Sequence, residues 1–246
     1  MQAIFLLIFS NLLIQINADE IAISSTPVIK DEYITAEFLT GKNNYYTDTN
    51  FIEIPEHMAY RKQMFLLKET YSAYNKMYLA AKKDGINLKI ISASRTFVEQ
   101  SWIWEDKWKT NKSKFATDNA LSSYIMQYSA MPGTSRHHWG TEVDLNSTSA
   151  SYFASGTGLK VYNWLVKNAA TYGFCQSYNA KGTERDTGYN EEMWHWSYFS
   201  LANRFLEGYK KKVDYTHITG FSGDFTAKSL EVIDNYVLAI SNNCSN

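Results

Sequence analysis

The sequence predicts one α+β domain, a small central antiparallel sheet flanked by helices. Three observations lead there. Apolar residues recur at steps of three and four in several separate segments, short β-prone runs fall between them, and residues 55–240 contain neither an internal repeat nor a linker. Helical stripes and short strands alternating in one uninterrupted chain bury a shared core. The 246 residues suit one large domain or two small ones, and folding at that size buries roughly 70–75% of the unfolded surface. Three prolines and twelve glycines exclude a collagen-like or low-complexity chain. With 24 Lys plus Arg against 25 Asp plus Glu, and a formal charge of −1, the chain offers no electrostatic footprint for nucleic acid or an anionic membrane. A partner must be recognised by a site.

The first eighteen residues stand apart. From Ala3 to Ile16 the chain is almost wholly apolar, and Ile16-Asn17-Ala18 precedes Asp19. This reads as a secretory signal cleaved after Ala18, which places the protein in the periplasm or outside the cell. An uncleaved anchor or a buried N-terminal helix is the alternative, and no Lys or Arg precedes the run. Asn11, Gln15 and the short length argue against a transmembrane helix. No later stretch is long and apolar enough to insert in a bilayer. Residues 19–54 are polar, Thr- and Asn-rich and weakly periodic, and read as an extended arm.

Residues 55–246 form the expected catalytic domain. From about Pro55 a long helix is predicted, with Tyr60, Met64, Leu67, Tyr71, Tyr74, Tyr78 and Ala81 on one face. Asp84-Gly85 ends it, glycine supplying the left-handed cap. Leu88 to Ile91 reads as a strand leading into Ser92-Ala93-Ser94-Arg95. A second helix carries Phe97, Ser101, Trp104 and Trp108 on one side, and another covers Leu121 to Tyr128. Pro132-Gly133 opens a loop towards a strand near Thr141–Leu145. Leu159 to Tyr172 is helical and closed by Gly173; Phe174–Tyr178 and Met193–Tyr198 are strands; a helix surrounds Leu201–Lys211. The tail places Leu230, Ile233, Val237 and Ile240 at helical spacing. Cys175 and Cys244 are the two cysteines. In an exported chain they allow one disulfide, the alternative being two buried thiols.

Three of the five histidines fall in two short segments, Pro132 to Asp144 and Glu191 to Trp196. A hydrolytic zinc ion needs three ligands drawn from imidazole and carboxylate, with one position left open. His137 and Asp144 lie seven residues apart across a loop-to-strand transition, and His195 can join them from another strand. Glu192, three residues before His195, is then placed as general base for the attacking water. Spacing alone leaves a plainer role open, because a histidine beside tryptophans is commonly a hydrogen-bonded structural residue. Seven tryptophans and eighteen tyrosines invite a sugar-stacking role. Helical spacing makes the core the first explanation for Tyr71, Tyr74, Trp104 and Trp108. Trp139, Trp194 and Trp196 flank the candidate ligands and either wall a groove or pack the histidines.

The string Ser135-Arg136-His137-His138-Trp139-Gly140-Thr141-Glu142-Val143-Asp144 resembles the S-x-H-x-x-G-x-A-x-D motif of the VanY-like D-alanyl-D-alanine carboxypeptidases. Glu192-Met193-Trp194-His195 resembles that family's E-x-W-H motif, and Ser92 to Gln100 its S-x-x-R-(S/T)-x-x-x-Q segment. These zinc peptidases are related to VanX and to the hedgehog signalling domain. The resemblance implies a hedgehog/D,D-peptidase-like fold with one zinc ion held by His137, Asp144 and His195. It also implies Glu192 as catalytic base, Arg95 on the oxyanion, and Gln100 and Ser135 shaping or contacting the substrate. The implied activity is removal of the C-terminal D-alanine from peptidoglycan stem peptides, as a D,D- or L,D-carboxypeptidase; a monomer is expected. An endopeptidase or dipeptidase on the same scaffold, or a non-catalytic zinc-stabilised binding module, is the alternative.

Glu142 departs from the motif, which has a small alanine there. Residues two apart in a strand share a face with each other, so Glu142 is expected to point with Asp144 towards the site. There it would bind a substrate ammonium group, pair with a cation such as Arg136, or obstruct the usual substrate. His138 is the nearest rival ligand; His57 and His217 are assigned to surface or packing. A serine D,D-peptidase is disfavoured, since S-x-x-K, K-T-G and G-x-S-x-G are all missing from the sequence.

Overall fold

The computed structural model describes residues 33–182 and 184–244. The apolar segment read as a signal, and residues 19–32 of the arm, lie outside them. In chain order the elements are α1 (Ala36–Leu39), β1 (Phe51–Glu53), β2 (Phe65–Leu67), α2 (Lys68–Lys83), β3 (Ile90–Ser92), α3 (Phe97–Asn111), α4 (Asp118–Ile125), β4 (Glu142–Leu145), α5 (Ala150–Phe153), α6 (Gly156–Asn168), β5 (Phe174–Gln176), β6 (His195–Tyr198), α7 (Phe199–Lys212) and α8 (Thr226–Ser229). Four strands form an antiparallel sheet in the order β3-β4-β6-β5, and β1 pairs with β2 separately. The fold is the expected α+β arrangement of a small antiparallel sheet among helices. No helix of the described residues is long and apolar enough to cross a membrane.

Register decides which side chains meet. Asp144 lies opposite both His195 on β6 and Ser92 on β3, and Glu142 lies opposite Ser197. Facing residues of an antiparallel pair project to the same side, as do residues two apart. One face of the sheet therefore collects Ser92, Asp144, His195, Glu142 and Ser197. The other face carries Val143, Leu145 and Trp196 into a core with Tyr74, Met77 and Ala81 of α2 and Val161 and Leu165 of α6. Each large apolar side chain so buried contributes roughly 1.5–3 kcal/mol, which makes the sheet a stiff floor for the polar face.

Three expectations need correction. The helix expected from Pro55 begins at Lys68. Residues 51–67 instead form the β1–β2 hairpin, closed by Ile54 N–H to Met64 O at 2.7 Å. Gln63 takes a positive φ of 58°, which interrupts any helix, and Tyr60 is exposed. The stripe of threes and fours continues past the true helix start only by coincidence. The arm of residues 19–54 is folded wherever it is described. Phe38, Leu39, Tyr45, Phe51 and Ile54 are buried one by one in the core, a docking that needs no periodicity. Finally, the tail is not one helix. Glu231 with φ 49° ends α8, and Leu238 N–H bonds to Ile233 O in a single wide turn.

Cys175 on β5 and Cys244 near the end are joined in a disulfide across 69 residues of sequence. A loop of that length gives a chain-entropy stabilisation of roughly 4 kcal/mol. Replacing both cysteines with alanine is therefore expected to lower stability by about 2–4 kcal/mol. Urea unfolding of the two proteins checks this, and coincident midpoints would contradict it.

Candidate metal and active site

The loop from Met131 to Gly140 delivers the first histidine. Tyr209 of α7 donates its hydroxyl to Gly133 O at 2.8 Å, and Trp139 Nε1 donates to Leu39 O at 3.0 Å. Gly41, at φ +76°, packs so closely under this loop that a Cβ there would lie 2.2 Å from His138 Nδ1. His138 is fully buried and structural. Its Nδ1–H donates to Arg95 O at 2.8 Å, and its Nε2 accepts from Gly133 N–H at 3.1 Å. Burial holds its pKa down to about 3, and with both nitrogens engaged it is no rival ligand.

His137 is arranged differently. Its Nδ1 lies 2.7 Å from Ala93 O. A carbonyl only accepts, so Nδ1 carries the proton and Nε2 keeps a lone pair. That buried Nε2 has no hydrogen-bond partner and faces Asp144 Oδ2 at 3.3 Å. His195 Nδ1 lies 3.1 Å from Asp144 Oδ1. Ligand atoms of His137, Asp144 and His195 lie within 4.8 Å of one another, and all three residues are buried. An orphaned imidazole nitrogen beside a carboxylate and a second imidazole fits a zinc ion by donor chemistry. Burial opposes ionisation of Asp144, but His137 and His195 hold its pKa well below the usual carboxylate range. Burial also disfavours the His195 imidazolium, yet Asp144 and Glu142 outweigh it and raise its pKa to about 9.

Glu192 sits beside this group, its Oε2 3.8 Å from His195 Nδ1. Backbone bonds from Glu192 N–H to Tyr178 O (2.9 Å) and from His195 N–H to Glu192 O (3.2 Å) set the turn that carries both. Burial pushes the Glu192 carboxyl up to about 8, with repulsion from Asp144 adding to it. Arg95 arrives from the start of α3, where Thr96 and Glu99 form a reciprocal capping box. Its Nη2 lies 3.5 Å from Asp144 Oδ2, and its Nη1 donates to Gln100 Oε1 at 2.8 Å.

These groups line a cavity of about 290 Å³, with Ser135, Tyr178 and Tyr189 on its walls. Of the residues singled out in the sequence, His137, Asp144, His195, Glu192, Arg95 and Ser135 come together here. Two do not reach the cavity. Gln100 is fully buried and spends both ends of its amide, accepting from Arg95 and donating to Ala130 O at 2.8 Å, so it braces Arg95 instead of meeting substrate. Glu142 is fully buried behind His195, where Arg136 and Ser197 surround it, so it cannot receive a substrate ammonium group. Of the three flanking tryptophans only Trp194 lines the cavity; Trp139 and Trp196 are buried packing residues.

Sequence reasoning missed Lys107, Tyr128 and Ile103 on the opposite wall. The Lys107 ammonium senses Glu192 and Arg95 across the cavity, and burial lowers its pKa. A usable signal existed, because Gln100, Ile103 and Lys107 follow one another at steps of three and four on α3.

Residues 63–201 match the family model described as VanY, D-alanyl-D-alanine carboxypeptidase. The chain is 33% identical over 125 residues to a D-alanyl-D-alanine carboxypeptidase of Enterococcus faecalis, a match covering 51% of this chain and 45% of that protein. It spans about half the length of the curated relatives it matches. Among solved structures it is similar to VanYB in complex with D-alanine-D-alanine, with a TM-score of 0.52, 25% identity and coverage of 67% of this chain and 85% of that one. A mutant of the vancomycin resistance D,D-pentapeptidase VanY in complex with Zn(II) shares the fold, with a TM-score of 0.51, 24% identity and coverage of 70% and 90%.

Proposed function

The chain belongs to the VanY family of D-alanyl-D-alanine carboxypeptidases, and from that premise we propose that it is an exported zinc carboxypeptidase. Its substrate is the peptidoglycan stem peptide, from which it removes the C-terminal D-alanine. The observation that carries this is the convergence of His137 Nε2, Asp144 and His195 on one point, with Glu192 beside them. In this reading those three residues hold one zinc ion. When bound, the ion supplies Lewis acidity and lowers the pKa of a water towards ~7.

The chain's own groups do the rest. Glu192 takes the proton of the attacking water and returns it to the leaving amine, an exchange worth typically ~10²–10⁴ in rate. Its raised pKa suits the second duty. Arg95, a permanent cation, faces the charge that develops on the carbonyl oxygen. Gln100 keeps the guanidinium aimed.

The second cation distinguishes an exopeptidase from an endopeptidase. Lys107 shares the cavity with Glu192 and Arg95, and it is half-buried. A partly desolvated ammonium there is matched to a free C-terminal carboxylate. Lys107→Ala is expected to raise KM for free-acid stems about tenfold, with kcat little changed, because a charged contact of this kind is worth about 1.5 kcal/mol. Amidated stems should show no such change; an equal loss on both would remove Lys107 from carboxylate binding.

The deciding experiment incubates the purified chain with tetrapeptide and pentapeptide stems, with and without a zinc chelator, and reads products by mass spectrometry. Chelator-sensitive loss of one alanine supports the reading, and the stem that reacts separates D,D from L,D cleavage. Bound zinc with no stem cut would favour a non-catalytic binding module.

A further inference from the structure

Glu142 is a charged side chain with no exposed surface, in a chain that has easier places to keep a carboxylate. Its surroundings are built for it. Oε1 accepts from Ser197 Oγ at 2.7 Å and from Thr141 Oγ1 at 3.0 Å, and lies 3.3 Å from Arg136 Nη2. The Arg136 side chain is itself completely buried. It donates to Ser197 Oγ at 2.9 Å and stacks on the Trp139 ring at 4.7 Å. A buried charge left unpaired is costly, so the pair Arg136–Glu142 forms one neutral unit under the sheet face. That leaves Oε2, which has no hydrogen-bond partner of its own and lies 2.9 Å from His195 Nε2.

This geometry points to a positioning role: we infer that Glu142, held ionised by Arg136, keeps the ring proton of His195 on Nε2 and so leaves the Nδ1 lone pair to a metal ion. The inference rests on the zinc reading above. Its physical basis is a competition. A neutral imidazole carries its proton on either nitrogen, and carboxylates stand at both, Asp144 Oδ1 at Nδ1 (3.1 Å) and Glu142 Oε2 at Nε2 (2.9 Å). Facing Asp144 alone, His195 would place the proton on Nδ1, and the nitrogen nearest His137 and Asp144 would be unable to bind a metal. An ionised oxygen against Nε2 tolerates a proton there and repels a lone pair. Glu142 thereby selects the ligand tautomer, as outer carboxylates do for metal-binding histidines in general.

The test compares the full chain with Glu142→Gln, Glu142→Ala, and Glu142→Ala combined with Arg136→Met, the last removing the bare buried cation. Zinc affinity is read by competition with a chromophoric chelator, and the His195 ring nitrogens by ¹⁵N NMR of the zinc-loaded proteins. Both alanine variants are expected to bind zinc about 10–100-fold more weakly. Glu142→Gln should recover most of that loss, since its amide oxygen can stand against Nε2–H where the carboxylate oxygen stood. Wild-type spectra should show a protonated Nε2. Wild-type affinity in the folded double variant, equal losses in the Gln and Ala variants, or zinc on Nε2 would each overturn the inference. If the wild-type chain itself took up no zinc, the reading beneath it would fail instead.

Discussion

Glu192→Ala is expected to lower kcat on the reactive stem by about 10²–10⁴ while zinc content stays at the wild-type level. The separation follows from geometry. Glu192 approaches His195 but is not among the three groups that converge, so its loss removes the proton carrier and leaves the donors in place. A second readout tests the environment as well as the role. The Glu192 carboxyl, raised to about 8 by burial, adds stability below the ordinary glutamate range and loses it as pH rises through about 8. Metal-free Glu192→Gln should therefore melt higher than the metal-free parent at pH 8 and show little difference at pH 4. An active Glu192→Ala protein would dismiss the base assignment, and a Gln variant that melts lower at pH 8 would dismiss the buried-carboxyl argument.

His195→Ala is expected to abolish tight zinc binding and activity together, by more than the ~10–100-fold typical of a supporting residue. Only two of the three donors would remain. The parent's affinity should also depend on pH with a defined sign. Asp144 and Glu142 overcome burial to raise the His195 pKa to about 9, so the metal-free ring is doubly protonated at neutral pH. Zinc must displace one of those protons, and affinity should tighten by up to about tenfold per pH unit from pH 6, flattening near 9. Chelator competition across that range checks it. A pH-independent affinity, or zinc retained by His195→Ala, would place the ligand set elsewhere.

The convergent donors were legible because scarce histidines lie in strings that resemble a known family's motifs; spacing alone left a structural role open for them. The sheet was legible from short runs between Gly and Pro breaks. Depth was not. Periodicity states which residues share a face but not how far each lies from solvent. Glu142 was thus placed correctly on the face of Asp144, and of its expected roles the pairing with Arg136 holds while substrate contact does not. Gln100, which the motif resemblance places to shape or contact substrate, is buried too and acts on the site only through Arg95. Lys107 went unnoticed because a lysine on an amphipathic helix reads as solvated, and only the packing of α3 against α4 and residues 218–232 turns it to the cavity. The false start of α2 shows the converse, a helical period running by chance through a hairpin whose positive-φ residue, Gln63, carries no glycine to announce it.

Other segments bond to the backbone at both margins of the four-stranded sheet. On the β3 side the backbone of Met58–Tyr60 is bonded along Ile90, and on the β5 side Ser241 N–H reaches Ser177 O just before the disulfide to Cys175. A strand with free N–H and C=O groups is a template for pairing with a second chain. Ser241 thus occupies one backbone acceptor beside the β5 margin. Until Cys244 finds Cys175, the β5 margin is held by backbone bonding and packing alone. The oxidation step fastens this contact, and under the proposed export it follows departure from the reducing cytosol.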